Sequence, residues 1–411
     1  MTQFKRCLNL LKSIETKSIF LFGPRQVGKT TLLRQTFPTA LQINLLRAEQ
    51  FRALSGHPER LRELVAAHRA ALPRSSLAVS IVPVVIDEIQ KLPYLLDEVQ
   101  DLMEAQKDLR FVLTGSSARK LKRSGSNLLG GRARWLQLAP ITYPEFVEAK
   151  PTVSPLEALV QLGGLPGILN SATPRTDFED YLGVYLREEI QAEALVRNIE
   201  GFSRFFQTAA LSNAEQVMYT HVASDAEVPA RTVREYFQVL EDTLVGKLLH
   251  PFTQTSLRKA VAASKFYFFD VGVANAALGR WELHPGTPEY GKAFEHWVWR
   301  ELESAIQYLH LDLELSYWRS TSLLEVDFVL TPVHSKFPQF AIEVKAKKVI
   351  TAKDIKGLLA FAEEFPVTGK RGVLPMRKIV VCLETTRRDT DSGVEVWPVL
   401  DFMKAWWGGK L

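Results

Sequence analysis

Ser18-Ile19-Phe20-Leu21-Phe22-Gly23-Pro24-Arg25-Gln26-Val27-Gly28-Lys29-Thr30 decides how the first third of this chain folds. The apolar run 18–22 has the length and texture of a buried strand. Behind the loop, Thr31-Leu32-Leu33-Arg34-Gln35 carries a helical pattern that Pro38 closes. A glycine-bearing loop between a strand and a helix is a phosphate cradle. Its glycines let the backbone wrap around phosphates, and the new helix turns unpaired N–H groups toward them. Lys29 is placed to neutralise the outer oxygens and Thr30 to ligate magnesium. The pattern implies ATP or GTP bound with Mg2+, held by Gly23, Pro24, Arg25, Gln26, Val27, Gly28, Lys29, Thr30 and Thr31.

A second element belongs to the same chemistry. Val84-Val85-Ile86-Asp87-Glu88 ends an apolar run in two carboxylates. At the end of a strand beside the loop, Asp87 can hold the magnesium through water and Glu88 can polarise the attacking water, because phosphoryl transfer asks mainly for positioning and charge neutralisation. The next strand ends in Thr114-Gly115-Ser116-Ser117. There Ser116 is either a sensor of the terminal phosphate or a polar strand cap. Arg119, Arg132 and Arg134 are candidates for a cation that completes the transition state, supplied in the same chain or by a neighbouring subunit, which allows a homo-oligomer. Arg132 is preferred because Gly130-Gly131 permits close backbone approach. The others, with Lys120, Lys122 and Arg123, read equally as a solvated or DNA-facing basic patch.

Composition bounds the rest. With 411 residues the chain exceeds one core, and two or three domains are expected. Hydrophobic residues at 46% and charged ones at 24% describe an ordinary globular chain. A net charge of +5 allows an acidic partner such as DNA, although a solvated surface accounts for it equally well. Two distant cysteines, Cys7 and Cys382, make neither a disulfide framework nor a zinc site, and a cytoplasmic setting is expected. No signal-peptide pattern and no membrane-length apolar run is found, so no membrane partner is expected.

Three segments follow: 1–150, 151–284 and 285–411. The first alternates strand-like and helical runs, the signature of a parallel sheet covered by helices. The second is mainly helical. Gly163-Gly164-Leu165-Pro166-Gly167 reads as a hinge-like break, and Tyr181, Leu182, Tyr185, Leu186 and Ile190 form an amphipathic stripe. Tyr219–Ala226, a turn through Val228-Pro229 and a longer helix beginning Arg231-Thr232-Val233-Arg234 have the helix-turn-helix layout, with strands at 244–249 and 266–269 as a wing. Such a module either contacts DNA or packs domains together. His221 and His250 lack metal-ligand partners at useful spacing and read as surface or packing residues.

The third segment predicts a helix at 292–309, strands at 313–318, 324–330 and 340–346, a helix at 354–365 and a strand at 378–383. Glu295 falls on the helix, Asp327 on the second strand and Glu343-Val344-Lys345 on the third. Alternation puts Glu343 and Lys345 on one face, and Glu325 on the face of Asp327. Carboxylates on adjacent strands suit magnesium, here Asp327 and Glu343. A lysine beside them can activate water, and Glu295 can hold a second metal or water. This is the order of the PD-(D/E)XK nucleases. The same residues read otherwise as two solvated strands with surface ion pairs.

Taken together, the chain resembles the prokaryotic AAA-type ATPases that carry a C-terminal domain of unknown function. The marks are Gly23 to Thr30, Ile86-Asp87-Glu88-Ile89-Gln90, Leu113-Thr114-Gly115-Ser116-Ser117, Gly131-Arg132, Arg231 to Tyr236, Lys265-Phe266-Tyr267-Phe268-Phe269-Asp270, Gly291 to Glu295, Glu325 to Phe328 and Ile342 to Lys345. The resemblance spans nearly the whole chain. It implies an α/β P-loop parallel-sheet ATPase domain of the ASCE type, a winged-helix-like helical middle and a restriction-endonuclease-like α/β end. The expected activity is Mg2+-dependent ATP hydrolysis acting on DNA, with cleavage carried by Glu295, Asp327, Glu343 and Lys345. The alternative is a nucleotide-gated switch or assembly ATPase whose end domain binds DNA or protein without cutting.

Overall fold

Residues 2–72, 81–115, 129–192, 198–253, 263–366 and 375–411 are described by the structure, a computed structural model, with backbone alone at 184–192. Among them no helix is long and apolar enough to cross a membrane. The chain divides into two compact units, Arg6–Ala139 with Asp242–Val245, and Met1–Lys5 with Pro140–Glu241 and Gly246–Leu411.

The first unit is built on five strands, of which the three central ones are apolar on both faces, as a helix-covered parallel sheet requires. The five are β1 (Ser18–Phe22), β2 (Leu41–Asn44), β3 (Val82–Asp87), β4 (Leu109–Gly115) and β5 (Ala133–Gln137). The order is β2-β3-β4-β1-β5 with every pairing parallel. Phe20, Ile86, Phe111 and Leu113 are fully buried, and Leu95, Leu96, Val99 and Leu102 cover them from the helix Leu95–Ala105. All carboxyl ends lie along one edge, where α/β sheets bind their ligands.

The second unit holds two sheets. β6 (Glu215–Gln216), β7 (Gly246–Leu249) and β8 (Lys265–Phe268) pair antiparallel in the order β6-β8-β7. The helices Tyr219–Ala226 and Ala230–Asp242 are joined by a turn in which Glu227 is left-handed, with φ 53°. Phe202, Phe205 and Phe266 pack against Tyr236 and Phe237 of the longer helix, mostly edge-on. The short-helix, turn, long-helix layout forms at the residues the sequence indicated. The amphipathic stripe expected at Tyr181–Ile190 lies on the helix Pro174–Ala192, with Phe178 and Tyr181 buried. The side chains of Tyr185, Leu186 and Ile190 lie outside the described residues.

The larger sheet comprises β9 (Leu313–Arg319), β10 (Glu325–Pro332), β11 (Phe340–Lys345), β12 (Arg377–Cys382), β13 (Arg388–Asp389) and β14 (Glu395–Pro398). Its order is β13-β14-β12-β11-β10-β9. β9, β10 and β11 form an antiparallel meander, and β12 and β14 then run parallel to β11. Phe328, Leu330, Phe340, Ile342 and Val344 share one core with the helices Pro288–Tyr308 and Val399–Trp407. Val326, Val329 and Ala341 face the helix Lys356–Glu364 through Leu358 and Phe361. This alternation leaves Glu343 on the face of Ala341. The helix Pro288–Tyr308 starts four residues before its expected position because Thr287 caps it and Pro288 takes its first turn.

One buried histidine escaped the sequence reading. His296 is fully buried. Asn213 Oδ1 accepts from Phe268 N at 3.0 Å, which turns its amide nitrogen toward His296 Nδ1 at 3.1 Å. His296 Nε2 therefore carries the proton and donates to the Phe268 carbonyl at 2.7 Å. Burial holds its pKa down, to about 3 from the ordinary 6.5. The folded state thus refuses a proton that the unfolded chain accepts, so stability is complete above pH 6.5 and falls as the pH drops toward 3. The expected loss is up to about 1.4 kcal/mol per pH unit. Urea unfolding of wild type and His296→Gln at pH 7, 6 and 5 checks it. A pH-independent gap between the two would exclude the imidazole as the source.

Candidate functional site

The nucleotide loop follows β1, and the helix Lys29–Thr36 begins with Gly28 at φ 94°, a left-handed turn that a side chain resists. Lys29 is 7% exposed, and its ammonium donates to the carbonyls of Gly23 at 2.6 Å and Pro24 at 2.9 Å. The loop thus holds a positive charge among its own backbone oxygens. Thr30 Oγ1 donates to Asp87 Oδ2 at 2.9 Å. Asp87 closes β3, one strand removed from β1, and the strand between them supplies Thr114, whose fully buried hydroxyl donates to Asp87 Oδ1. The Glu88 N–H in turn donates to Thr114 Oγ1 at 3.2 Å. The helix after β1 and the strands β3 and β4 therefore deliver one hydroxyl, one carboxylate and one positioning hydroxyl to a single point. Glu88 has φ 64° and leaves the strand direction, with Oε2 accepting from Gln90 at 2.5 Å.

This donor set fits a magnesium nucleotide. Thr30 would ligate the magnesium and Asp87 would hold it through water, with Lys29 and the helix N-terminus facing the phosphates. A magnesium ion held there with ATP would supply positive charge to offset that of the phosphates. Thr114 is the residue that sequence reading passed over. The Thr114-Gly115-Ser116-Ser117 run drew attention to Ser116, which lies outside the described residues, as do Arg119, Lys120, Lys122 and Arg123.

Arg132 does not reach its own nucleotide loop. Ala133 pairs with Ser18 at the start of β1, whereas the loop follows Phe22 at the other end. Four or five residues of strand separate the two edges by roughly 15 Å. Arg132 instead pairs with Glu104 at 3.0 Å, with both side chains about half exposed (46% and 48%). A transition-state role within the same chain is thereby excluded.

In the second unit Glu295, Asp327, Glu343 and Lys345 do gather, though around an unexpected centre. Lys265, the first residue of β8, is 2% exposed. Its Nζ lies 3.1 Å from Glu295 Oε1 and 3.5 Å from Asp327 Oδ1, and it also pairs with Glu325. Asp327 Oδ2 accepts from Val344 N at 2.8 Å, Lys345 pairs with Glu343, and Tyr267 OH donates to Glu295 Oε1 at 2.7 Å. Asp327 sits where the β9–β10 register shifts between Val326 and Val329, an irregularity that re-aims a side chain.

Burial raises Glu295 to about 7 against the pull of Lys265, and raises Glu343 well above the carboxylate range, with the Asp327 charge adding to it. Burial opposes the charge on Lys265, but Glu295, Tyr267, Asp327 and Glu325 outweigh it and keep the ammonium protonated; Lys345 is raised likewise by Asp327 and Glu343. Among the described residues no three His, Cys, Asp or Glu side chains form a metal-holding group. The expected magnesium pair Asp327 and Glu343 is thus engaged by Val344 N and the two ammonium groups, and as arranged it does not fit a metal. A lysine opening the aromatic strand Lys265-Phe266-Tyr267-Phe268 was the available signal, since a buried lysine demands acidic partners.

His250 bonds Ser264 at 2.9 Å and His221 is exposed, consistent with packing and surface roles. Trp406 is in the core, and Trp407 donates to the buried Glu301 at 2.7 Å.

Residues 15–147 match the family model described as an AAA domain, 154–283 a domain of unknown function (DUF8612) and 290–402 another (DUF4143). With the loop and the Thr30–Asp87 geometry, the first match makes the amino-terminal part of this chain a P-loop ATPase domain of the AAA type. The chain is 26% identical over 319 residues to the uncharacterized proteins Rv2008c of Mycobacterium tuberculosis and Mb2031c of Mycobacterium bovis, covering 75% of this chain. It spans 66% of the length of those relatives. Among solved structures, the Walker-type ATPase PABY2304 of Pyrococcus abyssi is similar at a TM-score of 0.45 and 17% identity, over 65% of this chain and 93% of that one. The ORC1 protein of Aeropyrum pernix, solved in complex with DNA, is similar at 0.28 and 13%, over 64% and 86%. Likeness this loose adds nothing to the family match.

Proposed function

We propose that this chain is a magnesium-dependent ATP hydrolase that acts on DNA, the nucleotide state governing how its DNA-facing parts are presented. The observation that carries the ATP half is the Thr30–Asp87 contact of 2.9 Å beside the Lys29 loop. In this reading Lys29, Thr30 and Asp87 hold the magnesium nucleotide, Glu88 polarises the attacking water, and any arginine finger comes from another subunit.

The DNA half rests on the helix Ala230–Asp242. It begins with exposed Arg231 and Arg234 after a tight turn, and is flanked by the β6-β8-β7 sheet, which reads as a wing. Arg231 pairs loosely with Glu235 at 3.3 Å and Arg234 lies over the Tyr219 ring, so both cations stay at the surface. Replacing both by alanine is expected to weaken duplex binding uniformly across sequences and to reduce the salt slope by about one to two. Fluorescence anisotropy across a salt series measures it. An unchanged slope would move DNA contact away from this helix.

For the C-terminal part, a meander followed by a parallel strand, with four nuclease-type side chains converging, supports a nuclease-like fold. The Lys265 ammonium among those carboxylates favours binding without cutting. Plasmid nicking with Mg2+ by wild type, Asp327→Ala and Lys29→Ala separates the two. No Asp327-dependent product is expected from wild type, and its appearance would establish cleavage.

A further inference from the structure

We infer that Lys265 is the resident cation of the C-terminal carboxylate pocket. Its ammonium occupies the place a divalent metal would need, and the pocket stays shut to metal while β8 is docked. Three carboxylates from two elements converge on one nitrogen: Glu295 from the helix Pro288–Tyr308, and Glu325 and Asp327 from β10. An ammonium offers three donors, so its hydrogen-bonding capacity is matched by this set.

The spacing separates ammonium from metal. Glu295 and Asp327 stand 3.1 and 3.5 Å from Lys265 Nζ. Magnesium requires oxygens at about 2.0–2.1 Å and calcium at about 2.3–2.6 Å. Glu295 and Asp327 thus stand at the distance of N–H donors, while the Glu325 contact is closer. The absence, among the described residues, of any three-ligand metal group agrees with this.

A second observation shows what the pocket keeps in reserve. Glu343 is 6% exposed, and among the described residues its Oε2 has no hydrogen-bond partner while its Oε1 is held by Lys345. Asp327, Lys345 and Lys265 all act on it electrostatically. This buried carboxyl oxygen is not committed to any described neighbour.

The plug is a feature of β8 as a whole. Lys265 and Tyr267 point to the same face of the strand, and Tyr267 OH donates to Glu295 at 2.7 Å. Withdrawing the strand removes both contacts together. Metal entry is therefore coupled to the position of the β6-β8-β7 sheet and the helices beside it.

The inference rests on the reading of these carboxylates as a nuclease-like set only for what the opened pocket would act on. Binding of Mn2+ to the full chain without nucleotide, followed by electron paramagnetic resonance and calorimetry, tests the plug directly. Wild type and Asp327→Asn should bind Mn2+ indistinguishably. Lys265→Met should gain a site roughly tenfold tighter or more, and Lys265→Met/Asp327→Asn should lose it. If Lys265→Met is unstable in chelator, its melting temperature should rise with Mn2+ where that of wild type does not. Asp327-dependent Mn2+ binding by wild type would overturn the plug, whatever the variant's stability. So would a folded Lys265→Met that gains no metal. Nicking is scored separately. A metal-loaded Lys265→Met that leaves plasmid intact overturns cleavage and keeps the plug.

Discussion

Glu88→Gln should lower ATP turnover by about 10²–10⁴-fold while the nucleotide still binds. The substitution keeps the size of the side chain and removes the charge proposed to polarise water. The residues proposed to bind the nucleotide are anchored elsewhere. Lys29 is held by the Gly23 and Pro24 carbonyls, and Thr30 by Asp87. The backbone of Glu88 is fixed through Thr114 Oγ1 and its left-handed φ of 64°, so the loss is chemical rather than conformational. Lys29→Ala should behave differently, losing affinity together with turnover, because the compensating charge for the phosphates is gone. Thr114→Val should fall between them, since it frees one oxygen of Asp87 and the Glu88 N–H at once. Single-turnover phosphate release, measured beside equilibrium binding of a fluorescent ATP analogue, distinguishes the three. Wild-type turnover by Glu88→Gln would mean that another group activates the water, and the role of the Asp87-Glu88 pair would have to be redrawn.

The nucleotide site was legible because its chemistry is local. A strand, a glycine loop and a helix start occupy consecutive residues, and Asp87 declares itself by ending an aliphatic run. What the sequence could not convey was which strand would lie between β1 and β3. That neighbour decides that Thr114 orients Asp87, while the parallel pairing of β5 on the other side of β1 decides that Arg132, for all the glycines before it, emerges at the wrong edge of the sheet. The carboxylate cluster divides in the same manner. Helix and strand positions for Glu295, Asp327, Glu343 and Lys345 follow from periodicity within one segment. The partner that dominates their electrostatics, Lys265, stands sixty-two positions before Asp327 and in a different sheet. Periodicity assigns a side chain to a face but says nothing about what another element brings to that face. His296 was missed for the same reason, since its two partners, Asn213 and the Phe268 carbonyl, come from remote segments.

Gly163-Gly164-Leu165-Pro166-Gly167 reads as a hinge, yet its first glycine is among the least replaceable positions in the second unit. Gly163 has φ 68° and ψ −159°, a region closed to side chains. A Cβ there would lie 2.1 Å from Asp270 Oδ1. That carboxylate accepts from Gly164 N at 2.6 Å and from Val273 N at 3.1 Å, capping the helix Val271–Ala277. Burial pushes its pKa up to about 6 despite these donors. Asp270 cannot retreat from an added methyl without leaving backbone N–H groups unpaired in the interior. The Gly164 carbonyl is engaged too, accepting from Ile141 N at 2.7 Å. Gly163→Ala should therefore cost about 3–5 kcal/mol, combining backbone strain with a lost cap. Gly167 provides the control. It lies in the short helix Pro166–Leu169 with nothing among the described residues within 4 Å of an added Cβ, so Gly167→Ala should be neutral or slightly stabilising. Urea unfolding of the two variants side by side decides the matter. A hinge would tolerate both substitutions alike, whereas a locked junction loses its stability at residue 163 alone.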